Sequence, residues 1–170
     1  MNHVPRVAAA EDVAALVDVI NRAYRVEAFF HHGERTDAAD VRERLARPGA
    51  LFLVIEDEGL AGAIFLKVTG ERGYFGMLSV DPDRQKQGIG RRLVDAAESH
   101  CRTAGCRFLD IDVVNLRTEL PAFYRHLGFA PYGTEPFHRP ELLKQPAHLI
   151  LMTKPLVDLW DEADVNHKGH

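Results

Sequence analysis

Apolar residues along this chain switch repeatedly between a two-residue and a 3.6-residue period. The order of those switches constrains the fold more than any other feature. Residues 4–8 have strand character and are short enough for a sheet edge. Val13, Leu16, Val17, Ile20 and Tyr24 then fall at helical spacing behind Glu11 and Asp12, whose charges suit a helix N-terminus, so a helix is predicted over 12–25. Thr36 is placed to cap a second helix running to about Leu45 or Ala46, and Pro48-Gly49 ends it. Strands follow at 51–56 and 61–68, joined through Asp57-Glu58-Gly59-Leu60 as a hairpin, and at 74–80 before Asp81-Pro82. A long helix opens at Gly88 or Gly90 and runs to about Ala104. Leu93, Val94, Ala97 and Cys101 mark its apolar face, and Gly105 stands where a C-terminal cap belongs. A strand at 107–114, a short helix at 121–127 begun by Pro121 and stopped by Gly128, and strands from Phe129 and over 148–154 complete the pattern. The order is β-α-α-β-β-β-α-β-α-β-β. That is a mixed α/β arrangement, not the strict alternation of a doubly wound sheet.

With 170 residues, a single domain over 1–157 is expected, followed by a polar tail over 158–170 that frays. A chain this long buries about 70% of its unfolded surface, so its stability needs neither metal nor disulfide. The net charge of −4 carries no dominant basic patch, which disfavours a nucleic-acid partner. Cys101 and Cys106 form no C-x-x-C pair and read as reduced thiols. The first ten residues lack the basic start and apolar run of a leader, and no apolar stretch approaches the ~20 residues of a membrane span. A cytoplasmic protein is expected, and an exposed sheet edge would permit a homodimer.

The chemistry concentrates between the 74–80 strand and the long helix, in Val80-Asp81-Pro82-Asp83-Arg84-Gln85-Lys86-Gln87-Gly88-Ile89-Gly90-Arg91-Arg92-Leu93. Gly88 and Gly90 carry no Cβ, so backbone there can approach a ligand closely. The helix start behind them offers unpaired N–H groups and a positive dipole end. Arg84, Lys86, Arg91 and Arg92 add positive charge. Together these features suit a pyrophosphate. The segment is no Walker loop, since no G-K-[S/T] follows, and its two glycines fall short of G-x-G-x-x-G.

Downstream stand Asn115 at a strand end and Pro121-Ala122-Phe123-Tyr124-Arg125-His126-Leu127-Gly128-Phe129. With these, the chain resembles the GNAT superfamily of N-acetyltransferases. Gln85, Gly88 and Gly90 match the family's Q/R-x-x-G-x-G/A. Val80 and Pro82 match its V-x-P. Phe123, Tyr124, Leu127, Gly128 and Phe129 match its F-Y-x-x-L-G-F. The order of strands and helices agrees from Val4 to about Lys154. The resemblance implies a central, mostly antiparallel, splayed sheet of six to seven strands flanked by about four helices. It also implies acetyl-CoA as acyl donor and a small-molecule or peptide amine as acceptor, without a metal.

Site roles follow from the same resemblance. The turn from Gln85 through Lys86, Gln87, Gly88 and Ile89 to Gly90 and Arg91 would hold the CoA pyrophosphate. Leu78, Ser79 and Val80 would pair with the pantetheine arm as an added strand would. The backbone N–H near Met77 or at Leu78 would meet the thioester carbonyl and stabilise its oxyanion. Asn115 would lie beside the cofactor, and Tyr124 would protonate the departing thiolate. The run between Asn115 and Tyr124 is slightly longer than the family spacing, which bears on the cofactor role of Asn115 and on the slot beside Tyr124.

The proton acceptor for the amine is open at this stage. Many relatives carry a carboxylate on the fourth strand, whereas 74–80 reads Tyr-Phe-Gly-Met-Leu-Ser-Val. Glu27, Glu34, Asp110, Asp112, Glu135 and His138 are the candidates, or ordered water. Asp110 and Asp112 share one strand face, read either as an acidic patch for a cationic amine or as a solvated or hydrogen-bonded sheet face. Glu27, Phe29, Phe30 and Glu34 are expected on the acceptor side. The adjacent His31 and His32 have no partner at metal-ligand spacing. The alternative to an enzyme is an acyl-CoA sensor or partner-docking module that binds without turnover.

Overall fold

Strands β2 (Ala50–Glu56), β3 (Leu60–Thr69) and β4 (Arg72–Val80) form an antiparallel meander in the computed structural model, which describes residues 3–157. The 158–170 tail expected to fray lies outside the described residues. The β2–β3 turn puts Glu58 and Gly59 in left-handed backbone, φ 52° and 96°, which accounts for the glycine. β1 (Arg6–Val7) lies along the free side of β2 as the edge strand expected of the first apolar run. Beyond β4 come β5 (Phe108–Val114), β7 (His148–Pro155) and β6 (Ala130–Pro136), giving the order β1-β2-β3-β4-β5-β7-β6. Among the described residues, only β4 and β5 run parallel. The sheet is thus the mostly antiparallel, seven-stranded one that the resemblance implies.

Among the described residues, four α-helices cover its two faces. Val13, Leu16, Val19 and Ile20 of α1 (Val13–Tyr24) join Val41 of α2 (Ala38–Ala46) over Phe52, Val54 and Phe65. On the other face, Leu93, Val94, Ala97 and Cys101 of α3 (Ile89–Thr103) and Tyr124 of α4 (Leu120–His126) lie over Ile64, Leu66, Phe75, Leu109 and Ile111. Each large side chain buried this way contributes about 1.5–3 kcal/mol. No helix among the described residues is long and apolar enough to cross a membrane.

The cap of α2 is Asp37, not Thr36. Asp37 has extended backbone and accepts the Asp40 N–H at 2.8 Å. Thr36 is instead buried in the α1–α2 junction, its N–H donated to Asn21 Oδ1 at 2.9 Å and its hydroxyl to Asp40 at 2.6 Å.

Two irregularities position the site. The first is a bulge in β4. Ala63 faces Ser79 and Phe65 faces Gly76, so Ile64 alone spans both Met77 and Leu78. Met77 takes φ 52° there. Simple alternation would put Phe75 and Met77 on one face. The bulge instead sends Phe75 and Leu78 toward α3 and α4 and Met77 toward α1 and α2. The second is a splay. β4 and β5 pair at Arg72↔Phe108, Gly73↔Leu109 and Tyr74↔Asp110, where the ladder ends. β4 goes on to Val80 and β5 to Val114, leaving a window through the sheet beside the bulge.

Candidate active site

The rim of the window is the turn between β4 and α3. Asp81 ties it to α1, because Arg22 donates to both its carboxylate oxygens at 3.0 and 3.1 Å. That ion pair holds the Asp81 carboxyl below the usual carboxylate range. Asp81 also accepts the Asp83 N–H at 2.9 Å, capping the short 3-10 turn Pro82–Arg84. The Gln85 side chain then donates to the Val80 carbonyl at 3.4 Å, folding the turn back on the strand end. Lys86 and Gly88 adopt φ 69° and 76°.

α3 starts at Ile89 with no side-chain cap, and its first helical bond runs from the Arg92 N–H to the Gly88 carbonyl at 3.0 Å. The earlier N–H groups of the first turn thus point out of the helix, where an anion is stabilised. Gln85, Lys86, Gln87, Gly88, Arg91 and Arg92 are exposed, while Ile89 anchors the turn in the core. Arg84 does not add to this positive rim, since it turns back onto Asp57 at 2.9 Å. A Cβ at Gly88 would meet no protein atom within 4 Å, and one at Gly90 would only touch Val80 at 3.5 Å. The chain itself leaves this surface open to close approach. Bare amides, unhindered glycines and three exposed cations fit a diphosphate.

Tyr124 stands on the α3–α4 side of the window, 7% exposed, with its ring against Phe75 and Phe129 at centroid distances of 5.9 and 5.8 Å. Its hydroxyl has no hydrogen-bond partner among the described residues. Burial pushes the phenol pKa up, so the hydroxyl keeps its proton at neutral pH. Asn115 closes the β5–β7 ladder, with its N–H donated to the His148 carbonyl at 3.0 Å and its Oδ1 accepting the His148 N–H at 2.8 Å. That interaction fixes the end of β5 against β7.

The opposite side holds the charged groups. Tyr74 donates its hydroxyl to Asp112 at 3.2 and 3.3 Å. A Cβ at Gly76 would stand 2.7 Å from that hydroxyl, so the glycine makes room for the phenol. Glu27, in the 3-10 turn Arg25–Phe29 after α1, is buried and receives Arg117 at 3.0 Å. Burial pushes the Glu27 carboxyl up against the pull of Arg117. Glu27, Glu34, Tyr24, His31 and Arg35 line a cleft with about 40 Å³ open to a water-sized molecule. Arg35 lies over the Tyr24 ring at 5.3 Å.

The expected acceptor-side residues therefore separate. Glu27 and Glu34 line the cleft, with Glu34 paired to Arg25 at 3.0 Å, and Phe29 is half exposed. Phe30 is fully buried, edge-on to Phe29 at 4.8 Å, and supports the loop from beneath. The residues that sequence reasoning passed over are Tyr24, Arg35 and Tyr74. Tyr24 reads as a helix-face residue and Tyr74 as a strand residue. The one local signal was the Gly76 placed two residues after Tyr74.

Residues 14–129 match the acetyltransferase (GNAT) family. Two mycothiol acetyltransferases are each 33% identical, one from Propionibacterium freudenreichii over 124 residues and one from Cellulomonas flavigena over 157. The matches cover 66% and 82% of this chain but only 40% and 44% of those proteins, so the chain spans less than half their length. An acetyltransferase from Salmonella typhimurium, solved with its cofactor acetyl-CoA, superposes with a TM-score of 0.71 at 19% identity, covering 92% of this chain and 96% of the other.

Proposed function

The chain belongs to the acetyltransferase (GNAT) family, and we propose that it transfers an acetyl group from acetyl-CoA to a primary amine by direct attack within a ternary complex. The observation that carries this reading is the window between β4 and β5 beside the Met77–Leu78 bulge, with the uncapped α3 turn at its rim. Acetyl-CoA supplies a thioester carbonyl open to attack and a thiolate able to leave.

Each residue role then has a physical basis. The N–H groups from Gly88 to Arg91, together with Lys86 and Arg92, bind the diphosphate. Leu78, Ser79 and Val80 present backbone to the pantetheine arm. The Leu78 N–H, turned by the bulge, donates to the carbonyl oxygen and strengthens its grip as negative charge develops there. Tyr124 gives its proton to the sulfur. The cleft lined by Glu27, Glu34 and Arg35 admits the amine from the opposite face, so donor and acceptor meet inside the sheet without sharing an entrance.

The test is mass spectrometry of amino acids, polyamines, aminoglycosides and N-terminal peptides after incubation with protein and acetyl-CoA, alongside calorimetry with CoA. Micromolar CoA binding and a mass gain of one acetyl group on at least one amine are expected. CoA binding with no amine ever modified would make the chain a sensor. Failure of the folded protein to bind CoA or its thioesters would overturn the reading altogether.

A further inference from the structure

Two carboxylates stand two residues apart on one face of β5, and their surroundings are opposite. Asp110 is clamped, receiving Arg72 Nε and Nη2 at 2.8 Å each and the Thr153 hydroxyl at 2.8 Å. Asp112 has no ion-pair partner among the described residues, and its one hydrogen-bond donor is the neutral Tyr74 phenol. Asp110 faces Tyr74 in the last paired position of the β4–β5 ladder. Asp112 is therefore the first residue of its face beyond the ladder, at the margin of the window. It projects on the side opposite Leu109, Ile111 and Val113, which join the core containing Tyr124.

We propose that Asp112 takes the proton from the acceptor's ammonium group, with Tyr74 as the positioning residue that orients the carboxylate. This assignment rests on the acetyl-transfer reading. An alkylamine has a pKa of about 10.4 and reaches the window as a cation with no free electron pair. Asp112 accepts one N–H proton, and the freed nitrogen pair forms the C–N bond. Tyr124 delivers its proton to sulfur as the C–S bond breaks and its electron pair leaves on the sulfur. The second N–H proton, shed as the amide forms, returns through water to the Tyr124 oxygen. Asp112 releases its proton to solvent, so one proton leaves per turnover. Acid and base thus sit on opposite faces of the sheet, each on the side where its partner enters.

Several groups face Asp112 from the surrounding elements. They are Tyr74 on β4, Tyr24 at the end of α1, Arg35 ahead of α2, Tyr132 and Glu135 on β6, and His138 just beyond it, while the Tyr124 phenol acts on Asp112 only through the sheet from its other face. Burial raises the Asp112 pKa, while the Tyr74 hydrogen bond, His138 and Arg35 pull it back and Glu135 adds to the rise. A carboxylate raised from its ordinary value is a better match for a proton it must take and then release.

The experiment measures kcat/KM against pH for the wild type, Asp112→Asn, Asp112→Glu and Tyr74→Phe, with acetyl-CoA and two probe acceptors. The probes are benzylamine, a cation at neutral pH, and aniline, which arrives neutral. Asp112→Asn should lose about 100-fold or more on benzylamine, lose the acidic limb of the profile, and lose distinctly less on aniline. Asp112→Glu should recover part of the loss. Tyr74→Phe should move the acidic limb to higher pH, because the charged carboxylate loses a donor. This readout stands even if Asp112→Asn fails to fold. An intact acidic limb in Asp112→Asn, equal losses on both amines, or an unmoved limb in Tyr74→Phe would overturn the assignment. A wild type that binds acetyl-CoA yet acetylates neither these probes nor any amine of the panel above would sink the acetyl-transfer reading and this inference with it.

Discussion

Ser79 donates its hydroxyl to the Met77 carbonyl at 2.9 Å, closing the β4 bulge from within the strand. Ser79 is only 1% exposed, so water cannot replace that bond. Replacing it with alanine leaves a buried carbonyl short of a donor, which costs about 1–3 kcal/mol. Ser79→Ala should therefore lower the unfolding free energy by that amount, read as a lower urea midpoint at unchanged slope. If the Leu78 N–H serves the thioester oxygen, kcat should fall as well, because the bulge that aims it has lost its internal tie. An unchanged midpoint would mean that Met77 holds the bulge without help.

Tyr124 offers a cleaner separation of binding from chemistry. Its ring fills a space among Phe75, Phe123 and Phe129, and phenylalanine preserves that volume. Tyr124→Phe should lower kcat by about 100-fold or more while calorimetry returns the wild-type CoA affinity. Unchanged turnover would remove Tyr124 from the acid role and leave it as a core aromatic.

The two glycines of the turn should behave differently. Gly88 holds φ 76°, a conformation that costs a non-glycine residue about 1–2 kcal/mol, while a side chain there would strike no protein atom. Gly88→Val should fold with that modest loss and weaken CoA binding by tenfold or more, about 1.4 kcal/mol, through collision with the ligand. Gly90 lies inside α3, and its added Cβ would touch Val80 at an ordinary 3.5 Å. Gly90→Ala should keep stability and most of the affinity. Calorimetry on both variants tests the placement, and equal affinities in Gly88→Val and wild type would contradict it.

What the sequence disclosed and what it concealed divide by range. The Gln85–Gly90 turn was legible because strand end, glycines and helix start are local signals. The bulge was not, since no residue in Tyr74–Val80 marks an extra position and only pairing with Ile64 reveals it. Tyr74 and Asp112 are 38 positions apart, and their contact exists only because β4 and β5 become neighbours and then part. Neighbouring residues of similar type were also indistinguishable. Phe29 and Phe30 are adjacent, yet one is 53% exposed and the other fully buried. The choice of Asp37 over Thr36 as helix cap depended on a buried Asn21 that claims the threonine.

Acid should loosen the edge of the sheet before its centre. Arg6 on β1 donates to Asp12 at 2.9 and 3.0 Å, and that hydrogen bonding holds the Asp12 carboxyl at about 2, below its ordinary 3.8. A carboxylate depressed on folding adds stability that is complete above its unfolded pKa and is lost as pH falls through the folded value. The window is therefore about pH 4 down to about 2. Arg6 is 41% exposed on its side chain, so salt should shrink the effect. Urea titrations at low salt should show Arg6→Met less stable than wild type at pH 5, with the gap closing toward pH 2. A gap independent of pH would mean that Arg6 acts through its hydrocarbon stem.

The pair that ties the Arg25–Phe29 turn to the turn ahead of Tyr124 should be the costliest to break from one side. Arg117 donates to Glu27 at 3.0 Å and to Glu119 at 2.7 Å, but the two carboxylates stand in different surroundings. Glu27 is buried, whereas the Glu119 side chain is mostly exposed. Removing Arg117 leaves a buried charge uncompensated, a loss of about 3–5 kcal/mol, while an exposed pair is worth about 0–1 kcal/mol. Arg117→Ala should therefore destabilise strongly and Glu119→Ala barely at all. Adding Glu27→Gln to Arg117→Ala should restore much of the loss, since the orphaned charge is gone. A double-mutant cycle in urea measures this directly. Simple additivity of the Glu27 and Arg117 changes would show that the two side chains do not hold each other in solution.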